Sequence, residues 1–535
     1  MEVERVKTVC RSCHGGCGII AHVKNGKVIK VEGDPESPIS HGTMCAKGLA
    51  ITQLAYHPDR ILYPMQKTNG NWKRIGWDDA LDTVASRFKE VIADYGSEAI
   101  IVGQGTGRDF ESHFSRFGNL LGTPNILTAG HMCYLSRIGA TLTTCGRHPA
   151  IDYANDPKCI VMWACNPQWT NPDEYKGVSF WRAYEKGAKL IVIDPRKGFL
   201  AKRADLWLQL RPGTDAALAL GFFHVIIEEE LYDREFVSQH IYGWDSFVER
   251  VRKDYALNRV EEITWVKQDL IRKAARLYAT TKPAGIHWGV PTEQTINCTD
   301  FTRTAVGLMA ATGNLDAPGG NVFHVPPPVR KVAEFSAHTE LPREQVKKRL
   351  GGDRYKLAAR MTFITPKCAW DAILTEKPYA VKAGYLIGTN PVLSRANAGE
   401  VYNALKKLDF LVVQDFFLTP TAEMADIFLP AGTWLEQNHV AENWKFHGYV
   451  LARQKVVEIG ECWQDHKIFM ELGKKMGQQW WDSVEDALEW LLEPTGLTWE
   501  EFRKKGYLQG DQRYYKYRES GFSTPTGKVE LYSTI

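Results

Sequence analysis

The chain has 535 residues, 44% of them apolar and 24% charged, with 17 Trp. That length suggests about two to four domains, each able to bury a core. A net charge of only +3 excludes an electrostatic case for nucleic acid or an anionic membrane surface.

The N-terminal stretch Met-Glu-Val-Glu-Arg-Val-Lys has no apolar signal core and no twin-arginine pair, so a cytoplasmic location is expected. Export alongside a partner subunit stays open. The chain has eleven cysteines, an odd number, and disulfides are disfavoured in a reducing cytosol. Residues 10 to 17 read Cys-Arg-Ser-Cys-His-Gly-Gly-Cys, and Cys45 follows downstream. Cys10, Cys13 and Cys17 can wrap three corners of an iron–sulfur cubane, and Cys45 closes the fourth. Gly15 and Gly16 let backbone N–H groups approach sulfur. Zinc ribbons favour two separated pairs of cysteines, and this pattern is a triplet plus one, so a four-iron four-sulfur (4Fe-4S) cluster is the preferred reading. Lys47 lies two residues after the last of these cysteines, where a lysine taken alone is a solvated charge.

Further on, apolar runs predict buried strands at Ala99 to Val102, Cys159 to Trp163, Lys189 to Ile193, Ala284 to Trp288, Ala383 to Ile387 and Phe410 to Val413. Helical patterns between them include Asp215 to Glu230 and Gln268 to Ala279. The longest apolar stretch, Ala216 to Ile227, spans about a dozen residues and contains His224, short of the roughly 18 that cross a bilayer. No direct membrane insertion is therefore expected. Strands alternating with helices point to an α/β protein with parallel sheets wound on both faces. Polar or Gly-rich loops follow these strands: Gly103-Gln104-Gly105-Thr106-Gly107, Ala164-Cys165-Asn166-Pro167, Asp194-Pro195-Arg196, Gly388-Thr389-Asn390-Pro391 and Gln414-Asp415. Open α/β sheets bind nucleotides outside the carboxyl ends of their strands. Each loop alone is compatible with ordinary turn chemistry, but five in succession are not easily so explained. Neither a dinucleotide G-x-G-x-x-G with a downstream acid nor a P-loop is present. In Arg211-Pro212-Gly213-Thr214-Asp215-Ala216, Thr214 or Asp215 either caps a helix or meets a nucleotide at its N-terminus.

Taken together these motifs resemble the molybdopterin oxidoreductase family, the relatives of dimethyl sulfoxide reductase. The resemblance runs through the cluster motif with Lys47, the loop ending Asn166-Pro167, and Val192-Ile193-Asp194-Pro195-Arg196. It continues through Gly213-Thr214-Asp215-Ala216, Gly313-Asn314-Leu315-Asp316-Ala317-Pro318-Gly319-Gly320 and Gly388-Thr389-Asn390-Pro391, then Val413 to Pro430. It implies a bis-molybdopterin guanine dinucleotide holding molybdenum or tungsten. Asn166, Asp194, Arg196, Gly213 and Asp215 match the segments around one nucleotide, and Gly388, Thr389, Asn390 and Asp415 those around the other. Lys47 matches the lysine between cluster and pterin. For the metal's protein ligand the matching segment is Gly130 to Arg137; soft thiolates suit such a metal, so Cys133 is expected there, with Cys145 as runner-up. Cys159, Cys165, Cys298, Cys368 and Cys462 read as core or incidental cysteines.

The implied activity is that of a catalytic subunit performing two-electron redox chemistry on a small substrate, with electrons relayed through the cluster to an iron–sulfur partner subunit. Formate dehydrogenases place a His after the Cys or selenocysteine ligand; Tyr134 stands there, which disfavours formate. Cys133 with Arg137 resembles members acting on sulfur compounds or other anions; Arg137 either binds an oxyanion or makes a surface or phosphate contact. Leu374 to Tyr379 and Glu493 to Glu501 look like acetylene hydratase, which adds water without net redox. Its proton-handling Asp follows the second cluster cysteine, where this chain has His14. His14 therefore either handles a proton or serves the cluster.

The expected architecture is an N-terminal 4Fe-4S domain (1–60) followed by two interleaved doubly wound α/β domains of the formate dehydrogenase or dimethyl sulfoxide reductase type. One comprises 61–128 plus 341–480, and the other is an inserted Rossmann-like domain at 129–340. The segment 481–535 leads, in the family, into a further C-terminal domain, expected here as a separate subunit, with a truncated chain or an inactive protein that binds the cofactor incompletely as the alternatives.

Overall fold

The computed structural model describes residues 2–106, 109–167, 176–442 and 447–535. Gly107, the last glycine of the first of those loops, lies outside the described residues. The chain forms two compact units. The first comprises Met1–His131, Pro327–Asn443 and Tyr449–Gln509; the second comprises Met132–Pro326, Trp444–Gly448 and Gly510–Ile535.

The first unit opens with a three-stranded antiparallel sheet, Glu4–Val9, Gly18–Lys24 and Lys27–Gly33. Its main sheet has seven strands in the order Asn71–Arg74, Met65–Thr68, Ile427–Pro430, Phe410–Asp415, Ala383–Ile387, Ile100–Gln104, Ile126–Leu127. The last five of these run parallel. Strands covered on both faces must be apolar throughout, and Ile100–Gln104 and Ala383–Ile387 are buried at every position. Helix Trp77–Tyr95 covers the sheet with Trp77, Leu81, Val84, Phe88 and Val91, the spacing of one helical face. From Ile100–Gln104 the chain passes outward to Ile126–Leu127, whereas from Ala383–Ile387 it passes the opposite way to Phe410–Asp415. The carboxyl ends of these two neighbours are therefore a topological switch point, where such sheets place ligands.

The second unit is built on four parallel strands in the order Leu206–Leu208, Lys189–Ile193, Cys159–Trp163, Ala284–Trp288. Helix Asp215–Glu228 is apolar on nearly all sides because it packs under helices Gln268–Thr280 and Cys298–Ala311. Residues 510–535 pack into this unit: Val529–Glu530 pairs with Ile241–Tyr242, and Lys516 donates to the buried Asp316 at 2.6 Å.

The six expected strands are all present. Two run further than their apolar cores suggested: Gln104 and Gln414 pair with Ile387 from either side, so the ladder continues through polar residues. Ala99 instead closes a short 3₁₀ turn, Ser97–Ala99.

Candidate functional site

The cluster loop connects the first two strands. The Cys10 amide donates to the Cys17 carbonyl at 2.8 Å, closing the loop, and the Gly15 amide donates to the Cys13 sulfur at 3.3 Å. Cys45 precedes the short helix Ala46–Leu49. Gly48 packs closely on this loop: a Cβ there would lie 3.0 Å from the Cys10 sulfur. Burial raises the Cys10 thiol above its ordinary value, hydrogen bonds from Ser12 oppose that, and nearby Cys45 adds to the rise. Among the described residues no three His, Cys, Asp or Glu side chains converge as a single metal ion demands. Ser12 donates to the Lys47 carbonyl at 3.4 Å and accepts from Trp434 at 3.1 Å, joining the loop to the segment after Cys45. The Lys47 side chain is exposed and His14 is half-buried.

At the switch point of the first unit, Gly105 and Gly388 meet backbone to backbone. A Cβ on Gly105 would lie 2.1 Å from the Gly388 carbonyl oxygen, and Gly388 has φ of 53°. Thr389 and Asn390 follow, half-buried, and the Asn390 side-chain oxygen Oδ1 accepts from the Thr421 hydroxyl at 2.7 Å. Asp415 caps the adjacent strand, accepting from the Phe416 amide at 2.7 Å. Burial pushes its carboxyl up to about 6, with that hydrogen bond only partly opposing. Gln104 is 1% exposed, and neither of its amide atoms has a hydrogen-bond partner among the described residues. An orphaned buried amide costs about 1–3 kcal/mol, so this crest is built to meet a polar ligand. The sequence reading missed Gln104 as a site residue; its place between two loop glycines was the available signal.

The second unit repeats the arrangement. Asp215 opens its helix and accepts from Trp163 Nε1 at 2.8 Å, which ties it to the carboxyl end of a central strand; burial raises its carboxyl. Gly213, with φ of 82°, has nothing within 4 Å of where a Cβ would stand, leaving open space before that helix N-terminus. Asp194 accepts from the Arg196 amide at 2.7 Å, while Trp207 donates to the Asp194 carbonyl at 2.9 Å. The Arg196 side chain is exposed, and Asn166 lies half-buried on the neighbouring loop.

Cys133 sits in the same unit, just ahead of helix Leu135–Cys145, at the positive end of its dipole. It is half-buried. Arg137, one turn on, is buried and paired with a carboxylate of the chain itself. Its Nε donates to Glu293 at 2.6 Å, its Nη2 donates to the Trp288 carbonyl at 2.8 Å and also meets Glu293, and its Nη1 donates to the Tyr134 hydroxyl at 3.0 Å. The two side chains are 4% and 0% exposed. The Tyr134 hydroxyl also bonds His148 Nε2 at 3.3 Å. Glu293, brought in from far along the chain, carried no local motif. Cys145 is a core residue: its thiol bonds the Thr141 and Arg147 carbonyls, and burial pushes it up to about 12. Cys159 is likewise buried and pushed up to about 12.

A family model described as "Molybdopterin oxidoreductase Fe4S4 domain" matches residues 3–57, and one described as "Molybdopterin oxidoreductase" matches residues 60–475. The chain is 34% identical to the acetylene hydratase of Syntrophotalea acetylenica, over 98% of this chain and 77% of that protein. It is 27% identical to the molybdopterin-containing subunit of thiosulfate reductase from Salmonella typhimurium (98% and 75%), and 28% identical to formate dehydrogenase H of Escherichia coli (99% and 78%). The solved structure of acetylene hydratase from Pelobacter acetylenicus superposes with a TM-score of 0.93 at 33% identity, covering 99% of this chain and 77% of that one. The matched families bring a 4Fe-4S cluster and a molybdopterin cofactor with molybdenum or tungsten, and the loop cysteines and the two Gly-, Asn- and Asp-bearing crests suit those groups. This chain, an enzyme by that kinship, belongs to the molybdopterin oxidoreductase family.

Proposed function

We propose that this chain is the catalytic subunit of a molybdenum- or tungsten-dependent oxidoreductase acting on a small substrate, with Cys133 as metal ligand and Cys10, Cys13, Cys17 and Cys45 holding the cluster. When bound, the metal supplies two-electron chemistry and the cluster passes electrons singly. The observation that carries the reading is the duplicated crest. Each unit presents Gly, Asn and Asp residues at the carboxyl ends of its own parallel sheet, as two guanine dinucleotides require. Asp194 and Asp215 would receive N–H donors of one nucleotide, and Asn390 and Asp415 those of the other, with Asn166, Arg196, Gly213, Gly388 and Thr389 shaping the loops. Lys47 would place a cation between cluster and pterin. Among the described residues no helix is long and apolar enough to cross a membrane. The partner is then an iron–sulfur electron acceptor or donor, as its thiosulfate reductase and formate dehydrogenase relatives suggest.

A second reading, hydration without net redox, is favoured by the 34% identity to acetylene hydratase over nearly the whole chain. His14 would then hold the proton.

Anaerobically purified protein should contain iron together with molybdenum or tungsten, and Cys133→Ala should abolish turnover. An unaffected rate in Cys133→Ala would refute the ligand assignment. Turnover with no electron acceptor present would overturn the redox reading in favour of hydration.

A further inference from the structure

We propose that Asp109, clamped between Arg11 and Arg453, forms a buried ion triad that sets the reduction potential of the iron–sulfur cluster. The inference rests on the cluster reading of the four N-terminal cysteines. Arg11 stands directly after the first of them. Its Nε donates to Asp109 Oδ2 at 3.0 Å, its Nη2 pairs with Oδ1 at 2.7 Å, and its Nη1 donates to the His14 carbonyl at 3.1 Å. Arg453, the last residue of strand Tyr449–Arg453, pairs with the same carboxylate. The three side chains are 5%, 4% and 3% exposed.

This is far more charge than fastening a loop needs. Burying ions costs several kcal/mol apiece even after relaxation, and one carboxylate between two guanidinium groups leaves a net positive charge inside the protein. That charge is carried partly on a residue of the cluster loop itself. Burial alone would raise the Asp109 carboxyl; the two arginines reverse this and hold it far below its ordinary range, so the triad stays charged. His439, 4.0 Å from Asp109, is buried and held well below its ordinary value, so it adds no charge near neutral pH. The remaining groups packed beyond it are the imidazoles of His113 and His466, neutral for the same reason, and Asp465, which accepts from Gln414 and Gln437 and which burial pushes up to about 6; ionised at neutral pH, it offsets part of the Arg453 charge. In a poorly polarisable interior each fixed charge beside the cluster shifts its potential: the arginines favour the reduced form, which carries one more electron, and Asp109 opposes them. Asp109 and Arg453 are thus positioning and tuning residues that need not touch substrate.

The test is a potentiometric titration of the full chain, with dithionite as one-electron reductant, following the reduced cluster by electron paramagnetic resonance. Asp109→Asn removes a negative charge and should favour reduction about tenfold, a rise of about 59 mV for one electron. Arg453→Gln removes a positive charge and should shift the potential the other way. Asp109→Glu should restore the parent value. Shifts of opposite sign support the proposal; unchanged potentials, or shifts of the same sign, overturn it. If Asp109→Asn does not fold, Arg453→Gln against Arg453→Lys decides: only the Gln variant should move. A parent protein that binds no iron and gives no reduced-cluster signal would instead refute the cluster reading, and the triad's role with it.

Discussion

Replacing Glu293 by Ala isolates what the buried pair behind Cys133 is worth. Glu293 is fully buried and bonds Arg137 through both Nε and Nη2. Removing it takes the carboxylate from a buried guanidinium that also meets the Trp288 carbonyl, the Tyr134 hydroxyl and aromatic faces at 4.3 and 4.6 Å. Breaking one partner of such a pair costs about 3–5 kcal/mol, a factor of about a hundred to a few thousand in the folding equilibrium. The double change Arg137→Met with Glu293→Leu removes both charges and keeps apolar bulk. It leaves the Trp288 carbonyl unsatisfied, so it should cost only about 1–3 kcal/mol. The chain has two compact units, so a single global transition is the wrong observable. Hydrogen exchange of the helix Leu135–Cys145 amides reads the local opening directly. Glu293→Ala should accelerate exchange there by about a hundredfold or more, and the double variant should recover much of that. A Glu293→Ala change worth less than about 1 kcal/mol, or a double variant as damaged as the single, would refute the pairing as a structural anchor.

Two further outcomes follow from the crest and the loop. Cys45→Ser should lower bound iron and bleach the visible absorbance of the anaerobic protein, and unchanged iron content would remove Cys45 from the ligand set. Asp415, pushed up to about 6 in the folded chain against about 3.9 unfolded, makes the native state bind the extra proton between these values, so stability falls as pH rises from about 4 to 6. The loss is about 3 kcal/mol without cofactor and should shrink when guanine N–H donors stabilise the carboxylate. Hydrogen exchange of the Phe410–Asp415 strand amides across that range, compared for the parent and Asp415→Asn, checks this; equal pH slopes in the two proteins would count against it.

What could be read locally was read well. The apolar runs around Val161, Ile191 and Val412 had one interpretation, because a strand covered on both faces has no polar side to show. The loop motifs announced themselves for the same reason that makes them useful: Gly105 and Gly388 touch where any Cβ would collide. Gln104 and Gln414 escaped, since a polar residue ending an apolar run reads as the start of a loop. Only the ladder to Ile387 shows that the strands continue through them.

The larger omission concerned Arg11 and Arg137. Each lies beside a cysteine expected to bind metal, and each looks in the sequence like a cation waiting for an anion. In the fold each is already taken by a carboxylate from a distant segment, Asp109 in one unit and Glu293 in the other. No periodicity or spacing announces such a partner, because the pairing is made by tertiary packing. Both arginines also grip their own cysteine-bearing segment, Arg11 through the His14 carbonyl and Arg137 through the Tyr134 hydroxyl. A guanidinium suits this work and an ammonium does not: its planar fork directs several N–H bonds at once in set directions, so one side chain can hold a carboxylate, a backbone and a neighbour together. Arg137 divides its donors among Glu293, the Trp288 carbonyl and the Tyr134 hydroxyl, and so ties the segment that carries Cys133 to the chain around residues 288–293.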